Sequence, residues 1–290
     1  MVTPLFRTAP LIAPEPPRLP DATKEYDPRY IDQLNNILRL YFNRLNNFEQ
    51  LFTTNTGGGL LKFPNGAFHQ DGATTLTGAM TNVSTTPIQV SSTALFASAG
   101  HLLIEGELVA YTGKTSTTFT GITRGVYGTT NTSHSIGAPV TEALGVASST
   151  SSIAIPFDST DASNAVAIDA TDNTKIVVSV AGYYNLQFSA QLLNFTTSDD
   201  NVTFWWRQNG TDIAYSAGIQ AVPSKHGSSP GAAIVSWNIV LPMNADDYVQ
   251  LLYASESGNT VTATYPAGSS PTHPVSPSVI LTATFVSALY

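Results

Sequence analysis

The chain has no cysteine, so disulfides and thiolate metal sites are excluded. Charge is scarce: 11% of the 290 residues are Asp, Glu, Lys or Arg, less than half of the ~25% usual in soluble domains. Basic residues are the scarcer sign, and the formal net charge of -8 argues against a surface built to neutralise phosphates, so no nucleic-acid partner is expected. No apolar run approaches the ~18 residues of a membrane span, and prolines interrupt MVTPLFRTAPLIAPEPP too often for a signal peptide. The expectation is a protein made in a cytoplasm, without membrane insertion. Thr, Ser, Asn and Gly fill the space that charge leaves, which suits β structure with hydroxyl-rich faces.

Of the twelve Lys and Arg, only Lys114, Arg124, Lys175, Arg207 and Lys225 lie beyond Lys62. The first fifth of the chain therefore faces different surroundings from the rest. Residues 1–27 interleave Pro4, Pro10, Pro14, Pro16, Pro17 and Pro20 with Leu5, Phe6, Leu11, Ile12 and Leu19. Proline at this density forbids helix and sheet interior and leaves an extended arm. Two readings stand: an arm that docks on a partner through its apolar residues, and a free tail.

Asp27-Pro28 reads as a helix start, with a capping carboxylate and a proline in the first helical position. From there Ile31, Leu34, Leu38, Tyr41, Leu45, Phe48 and Phe52 recur at alternating spacings of three and four, a heptad seam over 28–52. Ile37, Leu51 and Phe42 widen the stripe beyond what two helices would cover, which favours three. The other reading is one amphipathic helix lying on its own chain. Neither involves chemistry.

Gly57-Gly58-Gly59, Pro64-Asn65-Gly66 and Asp71-Gly72 predict a hinge over 53–72. Residues 73–145 read as a small all-β module, 146–152 as a small-residue linker, and 153–290 as an antiparallel sandwich. The clearest strand is GYYNLQFSAQLLN, in which Tyr184, Leu186, Phe188, Ala190 and Leu192 alternate with polar residues. Asn209-Gly210 predicts a two-residue hairpin, both positions at positive φ.

Candidates for chemistry are few. Glu105, Glu107, Arg124 and His134 could supply an acid/base pair in Glu107 and His134, but no spacing positions a nucleophile, and a buried Arg–Glu pair or turn brace is the competing reading. Asp199-Asp200-Asn201 and Asp246-Asp247 offer oxygens that suit calcium, or are simply turns. His69, His101, His134, His226 and His273 are scattered singly, so no metal, no cofactor and no catalytic residue is predicted. Trp205 and Trp206 point to opposite faces of one strand. With Tyr215 and Trp237 they are candidates for a subunit interface or for a sugar-stacking surface.

Two resemblances add to this. Phe96 to Gly100, Ile104-Glu105-Gly106-Glu107, Tyr111-Thr112-Gly113, Thr123-Arg124-Gly125 and His134 are similar to a small module of bacteriophage tail and fibre proteins. AGYYNLQFSA, FWWRQNGTDIA, LPMNADDYVQLLY and the terminal SVILTATFVSALY resemble the jelly-roll family of tumour necrosis factor and the complement heads. One departure is Asp246, where that family has glycine, which sets an L residue in a turn that asks for positive φ. The resemblances imply a jelly-roll head and homotrimers packed through aromatic faces. They imply a non-enzymatic virion protein held to tail or capsid proteins through residues 1–52, a fibre or a capsid decoration. A head that binds a host receptor or surface glycan is the alternative.

Overall fold

A computed structural model describes residues 15–19, 25, 27–53, 63–145, 149–265, 267–269 and 271–289. The arm residues Pro4, Leu5, Phe6, Pro10, Leu11, Ile12 and Pro14 lie outside this set, as does the side chain of Phe52. The chain divides into two units, 1–63 and 64–290.

The first unit holds one helix, Pro28–Thr53. Asp27 caps it: its carboxylate accepts from Arg29 N at 2.9 Å and its carbonyl from Tyr30 N at 3.1 Å, meeting two of the orphan donors of the first turn.

The second unit is β-rich, built on a large, curled, open sheet of ten strands and a second sheet of seven. Everything is arranged about the strand Gly182–Asn194. Its inward residues Tyr184, Leu186, Phe188, Ala190 and Leu192 are buried, as the period of two predicts. Along one edge it pairs over its whole length with Gly231–Met243. Along the other it pairs first with Val279–Ser287 and then with Thr260–Ala263. The sheet continues from Thr260–Ala263 through Pro139–Gly145 to the hairpin Gly100–Ile104 and Glu107–Tyr111. At the other end Val279–Ser287 meets Asn65–Gln70, which pairs with Ser159–Asn164.

The seven-strand sheet runs Val166–Ile168, Ile176–Val178, Tyr248–Ser255, Asp200–Gln208, with Thr211–Asp212 and Gly218–Val222 on the far edge of Asp200–Gln208 and Ile153–Ala154 paired to Tyr248–Ser255. The two sheets share one apolar core, in which Phe188 stacks on Phe204 at 5.2 Å and Phe204 meets Tyr253 at 5.1 Å. A separate cluster of Leu76, Ile88, Phe96, Leu102, Ile104 and Phe119 fills the small β region.

Three features differ from expectation. Within the predicted hinge, residues 65–70 form a strand: Gly66, Phe68 and Gln70 turn inward, and its partners lie far along the chain. The small module and the sandwich are not beads on a string, because Pro139–Gly145 and Thr260–Ala263 make one sheet continuous across 146–152. Finally, the return strand of the Asn209-Gly210 hairpin is only two residues long, Thr211–Asp212, and a separate strand Gly218–Val222 begins after a turn. Ser216 holds that turn, donating to Ile213 O at 2.8 Å and accepting from Trp206 N at 3.0 Å.

The turn chemistry follows the residues. Glu105-Gly106 and Asn209-Gly210 both take positive φ at both positions, the two-residue hairpin geometry. Asp246 has φ 68, so the turn where the resembled family carries glycine does need the left-handed region.

Candidate functional site

The predicted interface residues do not form one surface. Trp206 is fully buried in the chain's own core, which removes it from any surface another molecule could reach. Trp237 sets its ring edge-on to Phe188 at 4.6 Å and is half-buried. Trp205 lies on the opposite face, half-buried and hydrogen-bonded to Asp212, which also accepts from Arg207 Nε at 2.6 Å. Tyr215 is fully exposed, at φ 65. On the helix, Ile31 is 39% exposed, and Leu34, Leu38, Tyr41, Leu45 and Phe48 are half-buried. No helix side chain among those described is buried.

Glu105, Glu107, Arg124 and His134 do come together, and the geometry is that of a brace. Arg124 donates Nε and one terminal nitrogen to the two oxygens of Glu107 at 2.5 and 2.7 Å. Its other N–H groups reach the carbonyls of Thr81 (2.9 Å), Ser84 (3.3 Å) and Thr132 (2.7 Å). All five guanidinium donors are thereby used. Glu107 also accepts from Thr132 N at 3.0 Å and meets His134 Nε2 at 2.9 Å, while His134 Nδ1 meets Glu105 at 2.9 Å. Burial pushes the Glu107 carboxyl up, but the bonds from Arg124, Thr132 and His134 outweigh it and hold the group below the ordinary range. A saturated, buried pair with no nucleophile beside it ties three loops to a hairpin.

The aspartate pairs are likewise spent on the backbone. Asp199 accepts from Ser224 N at 2.8 Å, and Asp247 from Asn244 N at 2.7 Å and Asn209 Nδ2 at 2.7 Å. Asp200 is buried and accepts from Ser255 Oγ (2.6 Å), Thr260 Oγ1 (2.5 Å) and Ser257 N (2.9 Å), closing the loop between two strands. Burial pushes its carboxyl up, yet these bonds prevail and the net shift is downward. A depressed folded pKa contributes stability that is present above the unfolded value, about 4, and lost as pH falls through the folded value. Asp200→Asn should therefore destabilise the body at pH 7 and do so less and less as the pH drops below that value. Denaturant midpoints taken from pH 7 to pH 2 check this; a wild-type-to-variant gap independent of pH would refute it.

A further buried polar group lies where sequence reading placed nothing. Gln70, Glu142 and Ser278 are all buried, at 1%, 2% and 0% exposure. Gln70 ends the strand Asn65–Gln70, Glu142 lies at the middle of Pro139–Gly145, and Ser278 immediately precedes Val279–Ser287. Gln70 Nε2 donates to Glu142 Oε2 at 2.5 Å, and Ser278 Oγ donates to Gln70 Oε1. The other Glu142 oxygen accepts from Ala97 N at 3.0 Å. The backbone fixes the group: Ser278 N donates to Gln70 O at 3.1 Å, Gln191 N to Ser278 O at 2.8 Å, and Glu142 N to Gly72 O at 2.7 Å. Gly72 has to be glycine here, since a Cβ would sit 2.8 Å from that of Glu142.

Glu142 opens onto a cleft of ≈ 410 Å³ that is also lined by Leu95, Ser98, Pro156, Asp158 and Asn173. The wall Thr93–Ser98 is held from behind by Tyr111 Oη on Ala97 O at 3.0 Å, and by Lys114 Nζ on the carbonyls of Thr93 and Phe96. Burial pushes both carboxyls in the cleft, Glu142 and Asp158, above the ordinary carboxylate range. The two repel one another, which adds to the rise at Glu142. The only local signals were a glutamine ending a short alternating run and a serine preceding the last strand, and neither is diagnostic alone.

Among the described residues no three His, Asp or Glu side chains are grouped to hold a metal ion, and no helix is long and apolar enough to cross a membrane. Neither a protein-family model nor a curated protein matches this chain.

Proposed function

We propose that the chain is a structural component of a bacteriophage virion, a homotrimeric fibre or spike. Residues 1–52 anchor it to other virion proteins, and the β body projects as an adhesion head. The observation that carries this reading is the helix Pro28–Thr53. Its apolar side chains repeat at heptad spacing, yet none of those described is buried, and Leu40 and Phe42 are 51% and 60% exposed. A helix of this pattern is stable in water when copies cover each other's stripes.

Two features of the body support the reading. Strands that follow one another cross between the sheets: Val279–Ser287, Gly182–Asn194 and Gly231–Met243 neighbour in one, and Ile176–Val178, Tyr248–Ser255, Asp200–Gln208 and Gly218–Val222 in the other. This Greek-key order supports a jelly roll, the fold that the resemblance implies. The outer face of the first three strands carries Asn185, Gln187, Ser189, Ile234, Asn238, Val240, Ile280 and Thr284, and no charged residue. Solvated sheet faces normally carry Lys and Glu, so an uncharged one favours contact with a second copy.

Sedimentation of the full chain at micromolar concentration should give a trimer, and Leu38→Asp with Leu45→Asp should weaken the trimer while leaving the β body folded. A wild-type monomer would sink the proposal. A second reading, a head that binds a host receptor or glycan, is favoured by Tyr215, thrust fully into solvent from a turn that Ser216 pins.

A further inference from the structure

From the buried meeting of Ser278, Gln70 and Glu142 we propose that the first and last strands of the body become covalently joined, the Ser278 hydroxyl displacing ammonia from the Gln70 side chain to form an intramolecular ester.

The balance is simple. The Ser278 Oγ–Gln70 Cδ bond forms and the Cδ–Nε2 bond breaks. The proton that Ser278 gives up ends on the departing nitrogen, which leaves as ammonia, and no oxidant, reductant or co-reactant is consumed. Each group has its role by position. Ser278 Oγ already touches Gln70 Oε1, and the carbonyl carbon lies one C=O bond, ~1.2 Å, beyond that oxygen. Glu142 faces the leaving nitrogen at 2.5 Å. Once Oγ has added and the nitrogen has become an amine, a carboxyl in that place can hand it a proton as the C–N bond breaks. Burial pushes the Glu142 carboxyl above the ordinary carboxylate range, which favours the proton-bound form relative to an exposed glutamate.

The surroundings fit a reaction that runs once and stays. The reactants are 208 residues apart in sequence, yet strand register holds them side by side, with Gln70 opposite Val279. Groups fixed in this way react as if at about 10⁵–10⁸ M, whereas the released ammonia is diluted into solvent through the cleft that Glu142 lines. Deep burial of Gln70 and Ser278 limits the access of water to the product ester. A bond between the first and last strands closes the sheet against forced separation of its ends. The inference does not depend on the virion reading.

The test is the intact mass of the denatured full-length protein. The expected result is a species lighter than the sequence by one ammonia, in which tryptic peptides 63–114 and 226–290 travel together and separate on treatment with alkaline hydroxylamine. Ser278→Ala should keep the ammonia and yield the two peptides singly. Glu142→Gln retains both reactants and should slow joining about a hundredfold or more. A wild-type protein at its full sequence mass with separate peptides overturns the proposal. So does an ammonia loss that persists in Ser278→Ala and maps to Asn65-Gly66 or Asn209-Gly210, where succinimide forms by the same mass change. The wild-type peptide map decides the matter even where a variant does not fold.

Discussion

Arg124→Ala is expected to destabilise the β body by about 3–5 kcal/mol, the usual consequence of leaving a buried charge without its partner. Glu107, its side chain wholly buried, would keep only Thr132 N and His134 as near partners. Three carbonyls, of Thr81, Ser84 and Thr132, would lose their donor. Joint replacement of Arg124 and Glu107 by Met and Leu should cost far less, because no buried charge is then left alone. Guanidinium denaturation of the wild type, Arg124→Met, Glu107→Leu and the double variant at pH 7 and fixed protein concentration supplies the cycle, with Arg124→Ala measured alongside. A loss below about 1 kcal/mol in Arg124→Ala would mean that the pair behaves as an exposed one and braces nothing.

The second large effect is expected at Phe188. Phe188→Ala should cost about 3–5 kcal/mol, from lost transfer energy and the cavity left behind. The ring is buried on the central strand and touches Phe204, Trp206 and Trp237, at centroid distances of 5.2, 5.9 and 4.6 Å. It therefore joins the two sheets, and loss of it should lower the denaturation midpoint without changing the slope. Phe188→Leu, which refills most of the volume, should retain well over half of the stability. Equal losses for the two variants would show that the site collapses freely and that the ring is not wedged between the sheets.

Local features were legible. The Asp27-Pro28 start, the alternation of Tyr184 to Leu192, the Asn209-Gly210 turn and the positive φ at Asp246 depend on residues a few positions apart, and steric rules act at that range. The Arg124–Glu107 pair was readable too, because neither residue type is buried alone. What resisted reading was everything that depends on which distant strand lies alongside. NGAFHQ is a strand because Ser159–Asn164 and Val279 pair with it, whereas its own Pro-Asn-Gly entry signals a turn. The period of two separates Trp205 from Trp206, but only the opposing sheet, through Phe188 and Phe204, decides that Trp206 is the one inside.

The sequence by itself determined a capped amphipathic helix, a body of antiparallel strands with hydroxyl-rich faces, and the positions of its tight turns, since hydrophobic period, capping and φ preference are properties of neighbouring residues. Tertiary structure alone decided that regions 73–145 and 153–290 share one sheet, and that Gln70, Glu142 and Ser278 meet in a buried site. Strand pairing joins residues hundreds of positions apart, and the energy that selects a register comes from burying whole faces, which no short stretch of sequence records.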